Sequence, residues 1–252
     1  MKLGALSKTV FATYAVLFSG TAFAAELGQN PNVTRWSEGT IVYRTIETQR
    51  VRAHESWRLT AHPDGSRTIR SFVDNFDAES QLNMIHRVAK DFRPLESLVT
   101  YWSKGNYRGS GMFSVDGPTL TATLSGPQGP LMETVDVPEK FSMVPHPLAT
   151  DSWHTWYFDK AKGGAQTTTL YNVQIAAPSD TPALGRLENG TMTFEGVEEV
   201  TVPAGTFTTD HYTMNDSIHI WVSGPDNMMV RYAMPTRDLE YVLTSLKTGA
   251  TK

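Results

Sequence analysis

The stretch Thr201 to Val222, TVPAGTFTTDHYTMNDSIHIWV, sets the strictest limit on what this chain can become. It reads as a turn, a strand, a second turn and a second strand in unbroken succession. Pro203-Ala204-Gly205 bends the chain, because proline presets φ for the first corner of a turn and glycine accepts φ above zero. Asn215-Asp216 separates two β-rich runs and tolerates the left-handed backbone that a two-residue hairpin requires. With that loop, Tyr212 faces His219, His211 faces Ile220 and Asp210 faces Trp221. Alternation then puts Phe207, Thr209, His211, Ile218, Ile220 and Val222 on one face and Asp210, Tyr212, His219 and Trp221 on the other. A sheet lined on both sides suits a curved or barrel-like wall.

The VPAGTF turn leads into IWVS and then into MMVRYAMPTRDLEYVLTSL. This succession resembles the carboxy-terminal part of exported bacterial β proteins classed as domains of unknown function. As a family these are similar to the half-barrels of lipoprotein-localisation and lipocalin-like carriers. The resemblance covers mainly Glu195 to Leu246, with a fainter echo at Arg93-Pro94 and Asp116-Gly117. It implies a carrier-like fold and brings no catalytic residue with it.

The chain starts as an export signal does. Lys2 and Lys8 make a basic start, Val10 to Phe18 is a short apolar run, and Ala22-Phe23-Ala24 fits a small-x-small cleavage site. Residues 1–24 are therefore expected to be removed, leaving residues 25–252 as one domain. The apolar run is too short to span a membrane, and the chain has no cysteine for a lipid anchor or a disulfide. A periplasmic or secreted location is expected. Removing residues 1–24 takes away two lysines and no acid, so the formal charge moves from −4 to −6. That balance argues against nucleic acid as the main partner, which calls for a basic patch.

Further along, Val51, Ala53, Glu55, Trp57 and Leu59 alternate with polar residues, as a long half-buried strand does. His62-Pro63-Asp64-Gly65 turns the chain, and Thr68 to Phe76 returns. Ser80 to Lys90 fits a strand and, less well, a helix. Leu95 to Trp102, Tyr107 to Val115 and Pro118 to Leu124 form a meander, and Gly109 and Gly111 mark a bend or a close approach. Gly126 to Asp151 carries five prolines, which bar it from a central strand. It is expected to be a mobile flap docked by Phe141, Met143, Val144 and Leu148. Thr167 to Ile175 is a β run, and Pro178 to Gly185 is a loop. The fold class is all-β: one strongly curved antiparallel sheet, or an open barrel with an internal cavity, of roughly a dozen strands.

No motif names a reaction. Glu55 has the parity of its apolar neighbours, which disfavours its charged form and suits acid or base work near neutral pH. A bulge or an Arg70 partner returns it to an ordinary role. His146, Asp151 and His154 lie close together, but their spacing matches no tight metal motif, and no metal or cofactor is expected. His86 suits an inward pose, and His211 a core or cavity pose. Catalytic candidates are thus Glu55, His86, His154 and His211. Ten methionines and the aromatic run after Trp153 suit an adaptable apolar pocket, with Trp57, Tyr101, Trp153, Trp156, Tyr212 and Trp221 as ligand contacts. The functional expectation is an exported binding or carrier protein for an apolar or amphipathic small molecule or lipid. The alternative is a cofactor-free isomerase, lyase or cyclase acting on an apolar substrate in the cavity.

Overall fold

The computed structural model describes residues 32–126, 129–176 and 181–250. Its strands are β1 Arg35–Arg44, β2 Val51–Ala61, β3 Arg67–Asn75, β4 Ser80–Val88 and β5 Pro94–Ser103. Then come β6 Asn106–Asp116, β7 Thr119–Ser125, β8 Leu131–Asp136 and β9 Ser142–Val144. The second half holds β10 Gln166–Ala176, β11 Thr181–Val202, β12 Gly205–Met214, β13 Ile218–Ser223, β14 Met228–Met234 and β15 Leu239–Ala250. A 3-10 segment, Leu148–Tyr157, lies between β9 and β10.

All fifteen strands belong to one sheet, in the order β8-β7-β6-β5-β4-β3-β2-β1-β15-β14-β13-β12-β11-β10-β9. The fold is all-β, a single sheet that does not close into a barrel: β8 and β9 are its edges. Two antiparallel meanders meet where β1 pairs with β15, and only the short β9 runs parallel to its neighbour β10. Strands in such a sheet alternate buried and exposed residues. β2 buries Ala53, Glu55, Trp57, Leu59 and Ala61, while His54 and Ser56 face out.

Turn chemistry follows the sequence closely. Lys104 and Gly105 both have positive φ between Ser103 and Asn106, the left-handed pair that a two-residue hairpin needs. Gly109 has φ 141° beside a register shift in the β5–β6 ladder, a bulge that few other residues can form.

The sheet curls over so that β11 packs across β6, β7 and β8. The 3-10 segment lies within this fold against β9, β10, β13 and β14. Phe141, Met143 and Tyr171 are almost fully buried there, and Tyr171 meets Phe113 edge-on with ring centroids 6.0 Å apart.

The loop between β13 and β14 fastens the segment from outside. Asp226 takes Arg35 of β1 and Arg67 of β3, and its carbonyl accepts from Trp153 Nε1 at 3.1 Å. Asn227 Nδ2 donates to the Ser152 carbonyl at 2.9 Å and to Thr155 Oγ1 at 2.6 Å.

Several expectations are corrected. The hairpin after β12 has three loop residues, because Met214 pairs with Ile218 and the Ser217 amide donates to the Met214 carbonyl. Asn215 and Asp216 do adopt positive φ, but Asn215 also bonds Thr191 of β11 through its amide and its side chain, which holds the wider loop. That one-residue slip reverses the faces. Tyr212, Met214, Ile220 and Val222 face the core, whereas His211 leaves it for the outer face with His219 and Trp221. Backbone pairing of β11 begins at Thr181, inside the expected loop, while residues 177–180 lie outside the described residues. Within Gly126 to Asp151, the paired stretches are the two edge strands β8 and β9, the places that proline-rich chain permits.

Candidate functional site

Glu55 lies between Ile41 of β1 and Val73 of β3 and is fully buried. Its carboxylate satisfies four donors. Oε2 accepts from Tyr43 Oη at 2.6 Å and the Leu148 amide at 2.9 Å, and Oε1 accepts from Ser71 Oγ at 2.6 Å and the Ala149 amide at 3.3 Å. The first amides of a helical segment have no partner within it, and Pro147 before this one offers no side-chain cap. Glu55 supplies that cap from a strand more than ninety residues away. One carboxylate thus ties three strands to the start of the 3-10 segment. Arg70 is no partner of Glu55, because its parity puts it on the opposite face.

Burial pushes the Glu55 carboxyl up to about 7; Ser71, Tyr43 and Ala149 pull it down, and Asp151 adds repulsion. Its folded value lies above its unfolded one, so the protonated form is favoured in the folded state. The resulting stability is present below the unfolded pKa and is lost as pH rises through about 7. We expect stability to fall by roughly 3 kcal/mol between pH 4.5 and pH 8 from this group. Urea unfolding across that range checks it: Glu55→Gln should flatten the slope.

Glu55, Asp151, His154 and His86 form a chain of neighbours along the 3-10 segment. His154 Nδ1 lies 2.7 Å from Ser142 Oγ, and its Nε2 lies 3.6 Å from Asp151 Oδ1. His86 Nδ1 donates to the Glu96 carbonyl at 3.2 Å, and its ring centroid lies 5.7 Å from that of Trp153. Burial lowers its pKa to about 4, despite the Glu96 carbonyl and with help from His154, so it is neutral. Trp57 and Trp153 line a small void of about 10 Å³ next to Ala149, space for one water at most.

The remaining candidates are dispersed. Tyr101 and Tyr212 are buried elsewhere in the core. Trp156 is 42 % exposed and packs on Phe92 at 4.4 Å. His211 and Trp221 stack at 4.4 Å on the outer face, with ring planes 13° apart.

Space of ligand size lies outside. An open groove of about 440 Å³ runs over β2, β3 and β4, lined by Ser56, Arg58, Arg70, Phe72, Asn83 and Ile85. The ladder registers place Glu38, Arg58, Arg70, Ile85, Leu98, Met112, Thr123 and Met132 in one transverse row from β1 to β8. Ile85, Leu98, Met112 and Met132 are 45 %, 43 %, 57 % and 73 % exposed. Arg58 bonds Glu38 and lies over the Trp36 ring at 4.4 Å. Arg70 has no carboxylate partner among the described residues and stands directly opposite Arg58, an unfavourable like-charge pair. Sequence reasoning missed this row. Its signal was that Ile85, Leu98 and Met112 have the opposite parity to the buried apolar residues of their own strands.

No family profile matches the chain, and neither does any curated protein. Among solved structures it is similar to a DUF1089 family protein from Pseudomonas aeruginosa at 14 % identity and a TM-score of 0.37. That match covers 89 % of this chain and 97 % of the other. It is also similar to a protein with a YmcC-like fold from Bacteroides fragilis at 13 % identity and a TM-score of 0.30, over 84 % of this chain and 95 % of the other. Among the described residues no helix is long and apolar enough to cross a membrane.

Proposed function

We propose that this chain is an exported binding protein for amphipathic anions with a long apolar tail, of the fatty-acid or lipid class. The ligand lies on the outer face of β3–β8 and not in an internal cavity. The transverse row carries this reading. Arg70 offers an unpaired cation at one end, and Ile85, Leu98, Met112 and Met132 continue it with half-exposed apolar side chains. With strands about 4.8 Å apart, the five steps from Arg70 to Met132 span roughly 24 Å, the scale of an extended acyl chain. An anionic head between Arg58 and Arg70 removes their repulsion. The basic start, the apolar run and Ala22-Phe23-Ala24 support export and a mature chain from near Ala25; these residues lie outside the described ones. Residues 141–151, from the buried Phe141 into the 3-10 segment, serve as a cover that Glu55 holds on the inner side of the sheet.

The expected result is saturable binding of a fluorescent long-chain carboxylate by the mature protein. Leu98→Asp should weaken it at least about tenfold, the equivalent of 1.4 kcal/mol. Arg70→Ala should weaken the carboxylate but not the matching long-chain alcohol. Equal affinity in both variants and the parent would overturn the reading. The alternative, proton-transfer chemistry on an apolar substrate, draws on Glu55, His154 and His86. It requires the 3-10 segment to move aside, which the bonds to Glu55 oppose.

A further inference from the structure

On the outer face of the second meander, Glu198, His211, His219 and Trp221 form a cluster that neither the core nor the proposed ligand row uses. His211 on β12 and His219 on β13 sit diagonally across the ladder, since His211 pairs with Trp221 and Thr213 with His219. Diagonal neighbours on one face are within reach of each other's side chains. His211 Nε2 and His219 Nδ1 lie 3.1 Å apart. On its other side, His211 Nδ1 lies 3.0 Å from Glu198 Oε1, so the carboxylate fixes the His211 proton on Nδ1 and leaves Nε2 with a lone pair. Glu198 is itself held by Trp221 Nε1 at 2.5 Å, and the indole stacks on His211.

We propose that His211 Nε2 and His219 Nδ1 form a two-imidazole site for a borderline divalent transition-metal ion, with Cu(II) preferred and Zn(II) weaker. Metal–imidazole bonds of about 2.0–2.1 Å that meet at a cis or tetrahedral angle put the two nitrogens roughly 3.0–3.4 Å apart, the separation found here. The carboxylate on the far nitrogen of His211 is the usual outer partner of a metal-bound histidine. In the metal-free protein His219 donates from Nδ1 to His211; on binding it carries its proton on Nε2 instead, so no proton is released. His219 Nε2 has no hydrogen-bond partner among the described residues, whereas its Nδ1 also lies 3.4 Å from Thr213 Oγ1. Arg231, whose guanidinium lies 4.9 Å from the Trp221 ring, opposes a cation, and Glu240, at 3.2 and 3.0 Å from it but shared with Arg44, offsets that only in part. Two imidazoles favour Cu(II) and Zn(II) over Mg(II) and Ca(II), which want oxygen ligands. Among the described residues no group of three or more His, Cys, Asp or Glu is placed to hold a metal, so water completes the coordination.

The test is a titration of the mature protein with CuCl₂ near neutral pH, followed by tryptophan fluorescence. Trp221 stacks on the ligating ring, so binding should quench a saturable part of the signal at one ion per chain, and MgCl₂ should not. His211→Ala and His219→Gln should each weaken the ion at least about tenfold while circular dichroism stays that of the parent. His62→Ala and His146→Ala should leave this phase unchanged. If the two cluster variants bind Cu(II) as the parent does, or if quenching does not saturate at micromolar metal, the two imidazoles share only a proton and the proposal fails.

Discussion

Glu55→Ala is expected to lower the unfolding free energy by about 4 kcal/mol, more than any surface change in this protein. The reason is not lost attraction alone. The substitution strands the Tyr43 hydroxyl, the Ser71 hydroxyl and two backbone amides at the head of the 3-10 segment. An unsatisfied buried polar group costs about 1–3 kcal/mol, and partial relaxation keeps the sum below four full penalties. Glu55→Gln should cost less, because the amide oxygen still accepts while its NH₂ group confronts donors. Chemical denaturation of the three proteins at pH 8, where Glu55 is ionised, measures the difference. Hydrogen exchange adds the location: in Glu55→Ala the amides of Leu148 and Ala149 should lose protection first. A cost under about 1 kcal/mol, the value of an ordinary net hydrogen bond, would show that the carboxylate does not hold the segment.

Asp226→Ala is the second large loss, at about 3–5 kcal/mol. Arg67 is 7 % exposed. Its Nε donates to Asp226 at 2.7 Å and its remaining nitrogens reach the carbonyls of Gly65, Lys90 and Pro225, with its guanidinium over Phe92 at 4.1 Å. Without Asp226 that cation remains buried and uncompensated. Burial alone would raise the Asp226 pKa, but the bonds and charges of Arg35 and Arg67 outweigh it and hold the carboxyl below its usual range. Its contribution is therefore present above the unfolded carboxylate value and is lost as pH falls through the depressed one. The double variant Arg67→Met, Asp226→Ala should recover part of the loss, because the pair then leaves together. Full additivity of the two single losses in a double-mutant cycle would contradict this coupling.

The sequence carried the strands well, because one buried face leaves a period-two signature that survives without tertiary knowledge. Val51 to Leu59 named both the strand β2 and the inward pose of Glu55. It did not carry the partners of Glu55, since the amides of Leu148 and Ala149 arrive from the far side of the fold and leave no local trace. The hairpin after Met214 shows the limit of turn chemistry. Asn215-Asp216 marks the bend correctly, yet the bonds from Asn215 to Thr191 on a third strand decide between two and three loop residues. That one residue decides whether His211 is a core histidine or half of an outer imidazole pair. Exposed apolar residues such as Leu98 and Met112 were hidden for another reason: alternation reads any apolar side chain as a vote for the core.

The seam between β1 and β15 sets the order in which this chain can fold. Each meander consists of neighbours in sequence and can zip from its own turns, but Arg35 must find Ala250 and Trp36 must find Gly249 before the two halves become one sheet. Pairings of such sequence separation are slow to form, because loop closure is costly before any contact rewards it. The join needs the whole chain, as does the clasp of Arg35 and Arg67 on Asp226, which also links the two halves. Until then both seam strands are bare edges in two half-built sheets, the period in which this protein is most exposed to pairing with another copy of itself.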